Sequence, residues 1–286
     1  MFDTFKNRLE ITGVLTTITA LRISSGRSSE PIGSDLPVIK DSLGNPLIPG
    51  SSFKGAMRSR LESFLRGIVG NNRKLVANPA IEEEWSITSQ EIKQLKDSCE
   101  DDETLTKELI KQTDLTSLLF GSPWIASKFQ VRDLTVVPDT WFGQYQERDG
   151  VAIDRDTETA ADGKLYDFQV VPAGTQFQFK AVVENAEEYE LGLLMIGLHQ
   201  FETEQIPLGG GRSRGLGVVK LDIEEMLWFD YPENQLDLLL DYLKKLVMGD
   251  KSAYEDAREF KDHWVQQLID YLNSQAANRN NTEVRS

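Results

Sequence analysis

Cysteine, histidine, long apolar runs and an excess of positive charge are what this chain has least of. Among 286 residues there is one cysteine, Cys99. A single thiol forms no internal disulfide and excludes a cysteine-ligated zinc cluster. There are two histidines, His199 and His263. Neither sits in a loop suggestive of an acid–base pair, and both read as core or surface residues. No apolar run approaches the ~20 residues of a membrane span. The opening MFDTFKNRLEITG has no apolar stretch of the secretory type. The expected location is cytoplasmic, with no membrane partner. Lys and Arg number 31 against 46 Asp and Glu, a net charge of −15. Taken whole, that balance argues against nucleic acid.

The charge is segregated, however. Residues 1–66 hold nine basic and six acidic residues, and residues 205–220 hold Arg212, Arg214 and Lys220 with no acid. By contrast, residues 82–104 hold nine acids against two lysines, and residues 222–271 hold thirteen against five. The acidity lies in an internal segment and a tail, so a local basic surface is compatible with the total.

What is there reads as a mixed chain. RLEITGVLTTITALRIS (8–24) is rich in Ile, Thr, Val and Leu and predicts a strand or a bent pair. A loop rich in Pro and Gly fills 25–50. A helix follows, with Ser51 or Ser52 as its expected N-cap. Phe53, Met57, Leu61, Phe64 and Leu65 give it an apolar face, and Lys54 and Arg58 share a different one. Residues 67–128 look like an acidic, helical insertion. Strands are predicted over 128–138 and 174–185, a hairpin within 139–173 with its tip near 161–163, and an apolar helix over 187–202. A glycine loop then feeds a last strand within 208–226. Two helical stretches lie in 227–272, and the end from 273 predicts disorder. Without the insertion and the hairpin, the order is strand, helix, strand, strand, helix, strand. That is the ferredoxin-like, RRM-like order of an α+β core spanning 1–226, followed by an acidic helical extension over 227–286.

GGGRSRGLG (209–217) is tempting as a nucleotide cradle. A dinucleotide fingerprint starting at Gly209 needs Gly where Arg214 stands, and a Walker A motif starting at Gly210 needs Lys where Leu216 stands. Both templates fail. From the glycines alone the plain reading is a tight helix-to-strand connection with two solvated arginines. The same loop can also lay backbone N–H groups and two guanidinium forks along a phosphate backbone.

Four stretches taken together narrow the choice. IPGSSFKGAMRSRLE (48–62) and LGGGRSRGLGVV (208–219) resemble the RAMP superfamily of CRISPR-associated RNA-binding proteins. DGVAIDRDTETAADGKLYDFQVVPAGTQF (149–177) resembles the thumb hairpin of type III backbone subunits, and GSDLPVIKDSLGNPLIPGSSFKG (33–55) their catalytic-aspartate loop. By that match Asp35 is the catalytic residue and Asp41 a structural one. The resemblance implies a guide-RNA-binding backbone subunit that cleaves complementary target RNA with a divalent ion, Mg²⁺ or Mn²⁺, at Asp35. The partners it implies are guide CRISPR RNA, complementary target RNA and other type III effector subunits. RNA contacts are expected from Ser51, Ser52, Lys54, Arg58, Gly209, Gly210, Gly211, Arg212 and Arg214. Val151, Ile153 and Phe168 are the apolar candidates for thumb intrusion. Many such subunits carry a cysteine-rich zinc motif after the first helix. Here that region is the acidic 67–128 segment, whose acidic stretch 82–103 reads as a solvated face, a lid or a docking surface. No zinc is expected, and a divergent type III branch, III-D-like among the options, is compatible with the difference. The rivals are a non-cleaving structural subunit, with Asp35 as a turn former, and a stand-alone guide-processing endoribonuclease.

Overall fold

The computed structural model of the chain describes residues 4–26, 36–150, 166–231 and 235–283, with side chains through 275. In chain order the elements are β1 (Asn7–Thr17), β2 (Leu47–Ile48), α1 (Gly50–Val69), α2 (Ser89–Ser98), α3 (Asp102–Gln112), α4 (Leu115–Phe120), β3 (Phe129–Val131), β4 (Leu134–Thr135), β5 (Gln146–Gly150), β6 (Tyr166–Val170), β7 (Gln176–Glu184), α5 (Glu188–Glu202), β8 (Val219–Asp230), α6 (Leu236–Met248), β9 (Glu255–Asp256) and α7 (Lys261–Glu283).

β1 alternates half-buried and buried residues from Arg8 on, so one of its faces packs and the other does not. It lies at the centre of a sheet ordered β3-β7-β1-β8-β9, every pairing antiparallel. Without the short edge strand β9, that is the ferredoxin-like order predicted from the sequence. α1 and α5 cover the packed face. The Phe53 ring stacks on Phe201 at 4.2 Å and meets Phe179 of β7 at 4.9 Å. Leu9, Ile11 and Leu15 join them in one apolar core.

The C-terminal extension folds onto this core. Trp264 and Leu268 of α7 are buried in the same cluster. α7 runs along α5 where Gly192 admits it: a Cβ at 192 would stand 2.1 Å from the Trp264 carbonyl oxygen. A buried ion pair ties the start of β3 to α5, with Lys128 Nζ 2.6 and 2.9 Å from the Glu190 carboxylate.

Three local expectations are corrected. α1 starts at Gly50, and neither Ser51 nor Ser52 caps it. The Gly50 N–H instead donates to Asp133 Oδ1 at 2.9 Å, so the cap comes from a distant part of the chain. The strand predicted over 128–138 is broken into β3 and β4 around that same Asp133. The end predicted to be disordered is helical to Glu283. Residues 273–283 contain neither Pro nor Gly to stop it.

Candidate nucleic-acid interface

On β1 the sheet's other face presents Arg8, Glu10, Thr12, Val14 and Thr16, and Arg8 is paired with Glu10 and Glu184. Opposite Arg8, Phe229 of β8 is covered by Phe5 and Tyr242. β1 and β7 put no aromatic ring on that face, so it offers no stacking platform of the RRM kind.

Lys54 and Arg58 of α1 are turned inward. Arg58 donates from Nε to Glu62 at 2.7 Å, from one terminal nitrogen to the Gly121 carbonyl at 2.8 Å and from the other to Ser117 Oγ at 3.0 Å. Lys54 Nζ donates to Ser127 Oγ at 2.8 Å, and burial, together with the nearby Arg58 charge, lowers its pKa. Ser51 is exposed and Ser52 half-buried beside a helix N-terminus whose leading N–H is already taken by Asp133. The phosphate cradle expected at 51–58 is thus a brace between α1, α4 and residues 121–127.

The glycine loop keeps its exposure. Gly211 and Gly215 adopt left-handed backbone conformations at either end of a single tight turn, Arg212–Arg214. Arg212 and Arg214 both project into solvent. Arg212 Nε returns to the Gly209 carbonyl at 3.1 Å. The loop is pinned against residues 20–23. Gly210 N–H donates to the Arg22 carbonyl at 2.8 Å, and a Cβ at Gly209, where φ is +73°, would stand 2.0 Å from that oxygen.

The β5–β6 pair reaches the same loop. β5 and β6 pair antiparallel, and Tyr166 Oη accepts a hydrogen bond from Arg214 at 2.9 Å. That bond, with the Arg22 charge nearby, lowers the Tyr166 pKa. Phe168, expected to intrude into a duplex, is 6% exposed. It packs with Ala20, Val170 and Leu216, and the Arg22 guanidinium lies over its ring at 4.7 Å. Arg22 and Tyr166 therefore stand against the glycine loop and Phe168, although the motif did not single them out. Their one signal in the sequence is position: Tyr166 stands two residues before Phe168 in an alternating strand, and Arg22 follows β1.

Asp35, Val151 and Ile153 lie outside the described residues. Leu36, bonded to Asp35, is described: it bridges Phe168, and its carbonyl accepts from the Gln169 N–H at 3.1 Å. Residues 36–40 run beside 21–25, through Ile39 N–H to the Ile23 carbonyl at 2.9 Å. Asp41 builds its own turn, accepting from Leu43 and Asn45 N–H groups at 2.9 Å each, and these bonds lower its pKa. Residues 36–40, the β5–β6 pair and the glycine loop therefore meet at one corner. Among the described residues, buried Arg22 Nε and Gln169 Oε1 have no hydrogen-bond partner there. His199 and His263 are both exposed, beside Glu202 and Glu188.

A family model described as the RAMP superfamily matches residues 14–220. The chain belongs to the RAMP superfamily. Its matched region begins in β1 and ends in β8, the outer bounds of the ferredoxin-like core. This RAMP chain is also similar to proteins named CRISPR system Cms endoribonuclease Csm3. The one from Enterococcus italicus is 26% identical over 223 residues, 77% of this chain and 92% of that protein. The one from Streptococcus thermophilus is 27% identical over 209 residues, 71% and 82% respectively. A shorter match, 46% identical over 56 residues, is to the protein of that name from Mycobacterium tuberculosis. The family resemblance carried by the four motifs is thereby confirmed.

The resemblance implies a divalent ion at Asp35, which is not among the described side chains. No group of three His, Cys, Asp or Glu side chains among them could hold a metal. The charged groups near Phe168 are of both signs: Arg22 over its ring and Arg214 on Tyr166, with Arg148 opposite it across the β5–β6 pair and Asp149 opposite its neighbour Asp167. Arg22 and Arg214 suit a phosphate.

Proposed function

We propose that this RAMP chain is an RNA-binding backbone subunit of a type III CRISPR ribonucleoprotein, and that it cleaves complementary RNA at the corner where Leu36 joins the thumb stem. The observation that carries the reading is the Leu36–Phe168 bridge. It brings the chain leaving Asp35 to the strand that holds Tyr166, beside Arg22 and Arg214. The Csm3 proteins it resembles are named endoribonucleases.

The chemistry follows from the residues. RNA held across Arg212 and Arg214 is gripped through its phosphates, blind to sequence, because base pairing with the guide reads the target. A nucleotide splayed from the stack can place its 2′-oxygen in line with the adjacent phosphorus. Asp35 takes the 2′-hydroxyl proton as that oxygen attacks. Arg22 and Arg214 offset the negative charge that gathers on the phosphoryl oxygens. The bond from phosphorus to the 5′-oxygen breaks, and that oxygen is protonated by water. A 2′,3′-cyclic phosphate and a free 5′-hydroxyl result.

The test is the assembled complex, loaded with guide and given end-labelled complementary RNA. Asp35→Asn keeps target binding and lowers one set of cuts by about 10²-fold or more. If every cut persists at the wild-type rate, the chain is scaffold and its neighbours cleave. Repeating the assay in EDTA separates the two roles of Asp35: cutting that survives chelation is carboxylate base chemistry, and cutting that stops requires an ion held by Asp35 with the RNA's own phosphates.

A further inference from the structure

α6 presents its apolar side away from the molecule. Tyr242 is the one residue of this helix that is buried, stacked on Phe229 at 3.8 Å and on Phe5 at 5.8 Å. Asp241 and Lys245 line the cleft beside it and pair with each other at 2.7 Å. The opposite face carries Leu236, Leu240, Leu243 and Val247, exposed by 61, 53, 47 and 86%. Folded chains leave such a row uncovered where something docks on it. The intervals of four, three and four residues are those of a coiled-coil seam, not of a helix that packs on a broad sheet. One edge of the row carries Asp237 and Lys244, seven residues apart, and the other carries Leu239 and Leu246.

We propose that α6 docks antiparallel onto α6 of a second copy of this chain. The argument is charge complementarity about one axis. A two-fold axis between Leu240 and Leu243 sets Leu236 against the partner's Val247 and Leu240 against the partner's Leu243. The same rotation brings Asp237 beside the partner's Lys244, and Lys244 beside the partner's Asp237. A parallel pair would face both charges with Leu239 and Leu246 and match nothing. The contact is isologous and closes on itself. One helix face of this length buries about 400–500 Å² per partner, short of the ~800 Å² of a standard interface. The dimer is therefore concentration-dependent. The inference is independent of the RNA reading, because it uses no residue of that corner.

Sedimentation velocity on the purified full chain, from micromolar to sub-millimolar concentration, tests it. Wild type should move from monomer toward dimer as concentration rises. Leu240→Asp and Leu243→Asp should stay monomeric throughout. Both positions are exposed, so unchanged far-ultraviolet circular dichroism should accompany that loss. Asp237→Lys alone and Lys244→Asp alone should each weaken association about 2–5-fold, the scale of an exposed charge pair. The double exchange, Asp237→Lys with Lys244→Asp, should return it to within about twofold of wild type. A wild-type chain that stays monomeric at every concentration overturns the proposal and leaves the face to a helix of a different protein. A dimer that survives Leu240→Asp overturns it too, as does a double exchange no better than the singles.

Discussion

Arg58 is a basic residue on a surface helix whose charge stays inside the protein. Its three nitrogens are satisfied by Glu62, Gly121 and Ser117, and Glu62 itself is buried. Arg58→Ala leaves that carboxylate with Arg66 alone, at 3.1 Å. Because Glu62 keeps Arg66, the cost falls below the ~3–5 kcal/mol of a buried charge left unpaired. The expected result in urea is a lowered midpoint with an unchanged slope, and RNA affinity per folded molecule equal to wild type. A variant as stable as wild type but deficient in RNA binding would restore Arg58 to the phosphate surface. The sequence hid this because Lys54 and Arg58 look identical on a helical wheel to any pair of solvated cations. Only the loop at 121–127, sixty residues on, determines what they face. Arg212 and Arg214 were legible for the opposite reason: short glycine-flanked turns keep their side chains in solvent whatever packs nearby.

At the scale of elements, the acidic insertion has a structural use for several of its carboxylates. Asp101 and Asp114 are the N-caps of α3 and α4, and Glu91 closes the capping box of α2 with Thr88. Glu91 is also gripped by Arg73, at 2.5 and 3.0 Å. The Arg73 hydrogen bonds, helped by the Thr88 N–H, bring its pKa down from 4.5 to about 2. A carboxylate depressed in the folded state stabilises the fold fully above its unfolded pKa. That contribution is lost as pH falls through the folded value. Glu91→Gln should therefore melt below wild type at neutral pH, and the gap should close between about pH 4.5 and 2. Trp85 and Trp124, whose rings lie 6.3 Å apart beside this segment, supply a fluorescence readout. A gap that is the same at pH 7 and pH 2.5 would mean Glu91 acts through packing and not charge. Here the sequence showed helices and acidity but not the reason for the acidity, since a capping carboxylate and a solvated one are the same letter. β7 and α5 were legible to within two residues because each is a long run of a single period. The β3–β4 break was not, because Asp133 is called out of the strand by a helix start eighty residues upstream.

For the whole molecule, the net charge of −15 conceals where charge of each sign is exposed. The strand order could be read from the sequence because four strands and two helices keep their periods between insertions. The corner could not, because Arg22, Leu36, Tyr166 and Arg214 come from four separate stretches and meet only in the fold. That separation makes a quantitative prediction. If RNA is held at this corner, affinity reports the local cations and ignores the distant acids. Each phosphate contact to a single strand releases counterions and steepens the fall of log K with log salt by about 0.7. Fluorescence anisotropy with a short labelled RNA between low and physiological salt gives that slope directly. Arg214→Ala and Arg22→Ala should each flatten it by about 0.7, and the pair by about 1.4. Glu82→Gln, Glu83→Gln and Glu84→Gln together add three units of positive charge to the molecule at an exposed turn of the insertion. They should leave the slope within error of wild type, because the slope counts phosphate contacts and these glutamates make none. A slope that follows net charge, moving with the glutamates and not with the arginines, would place the RNA on another surface.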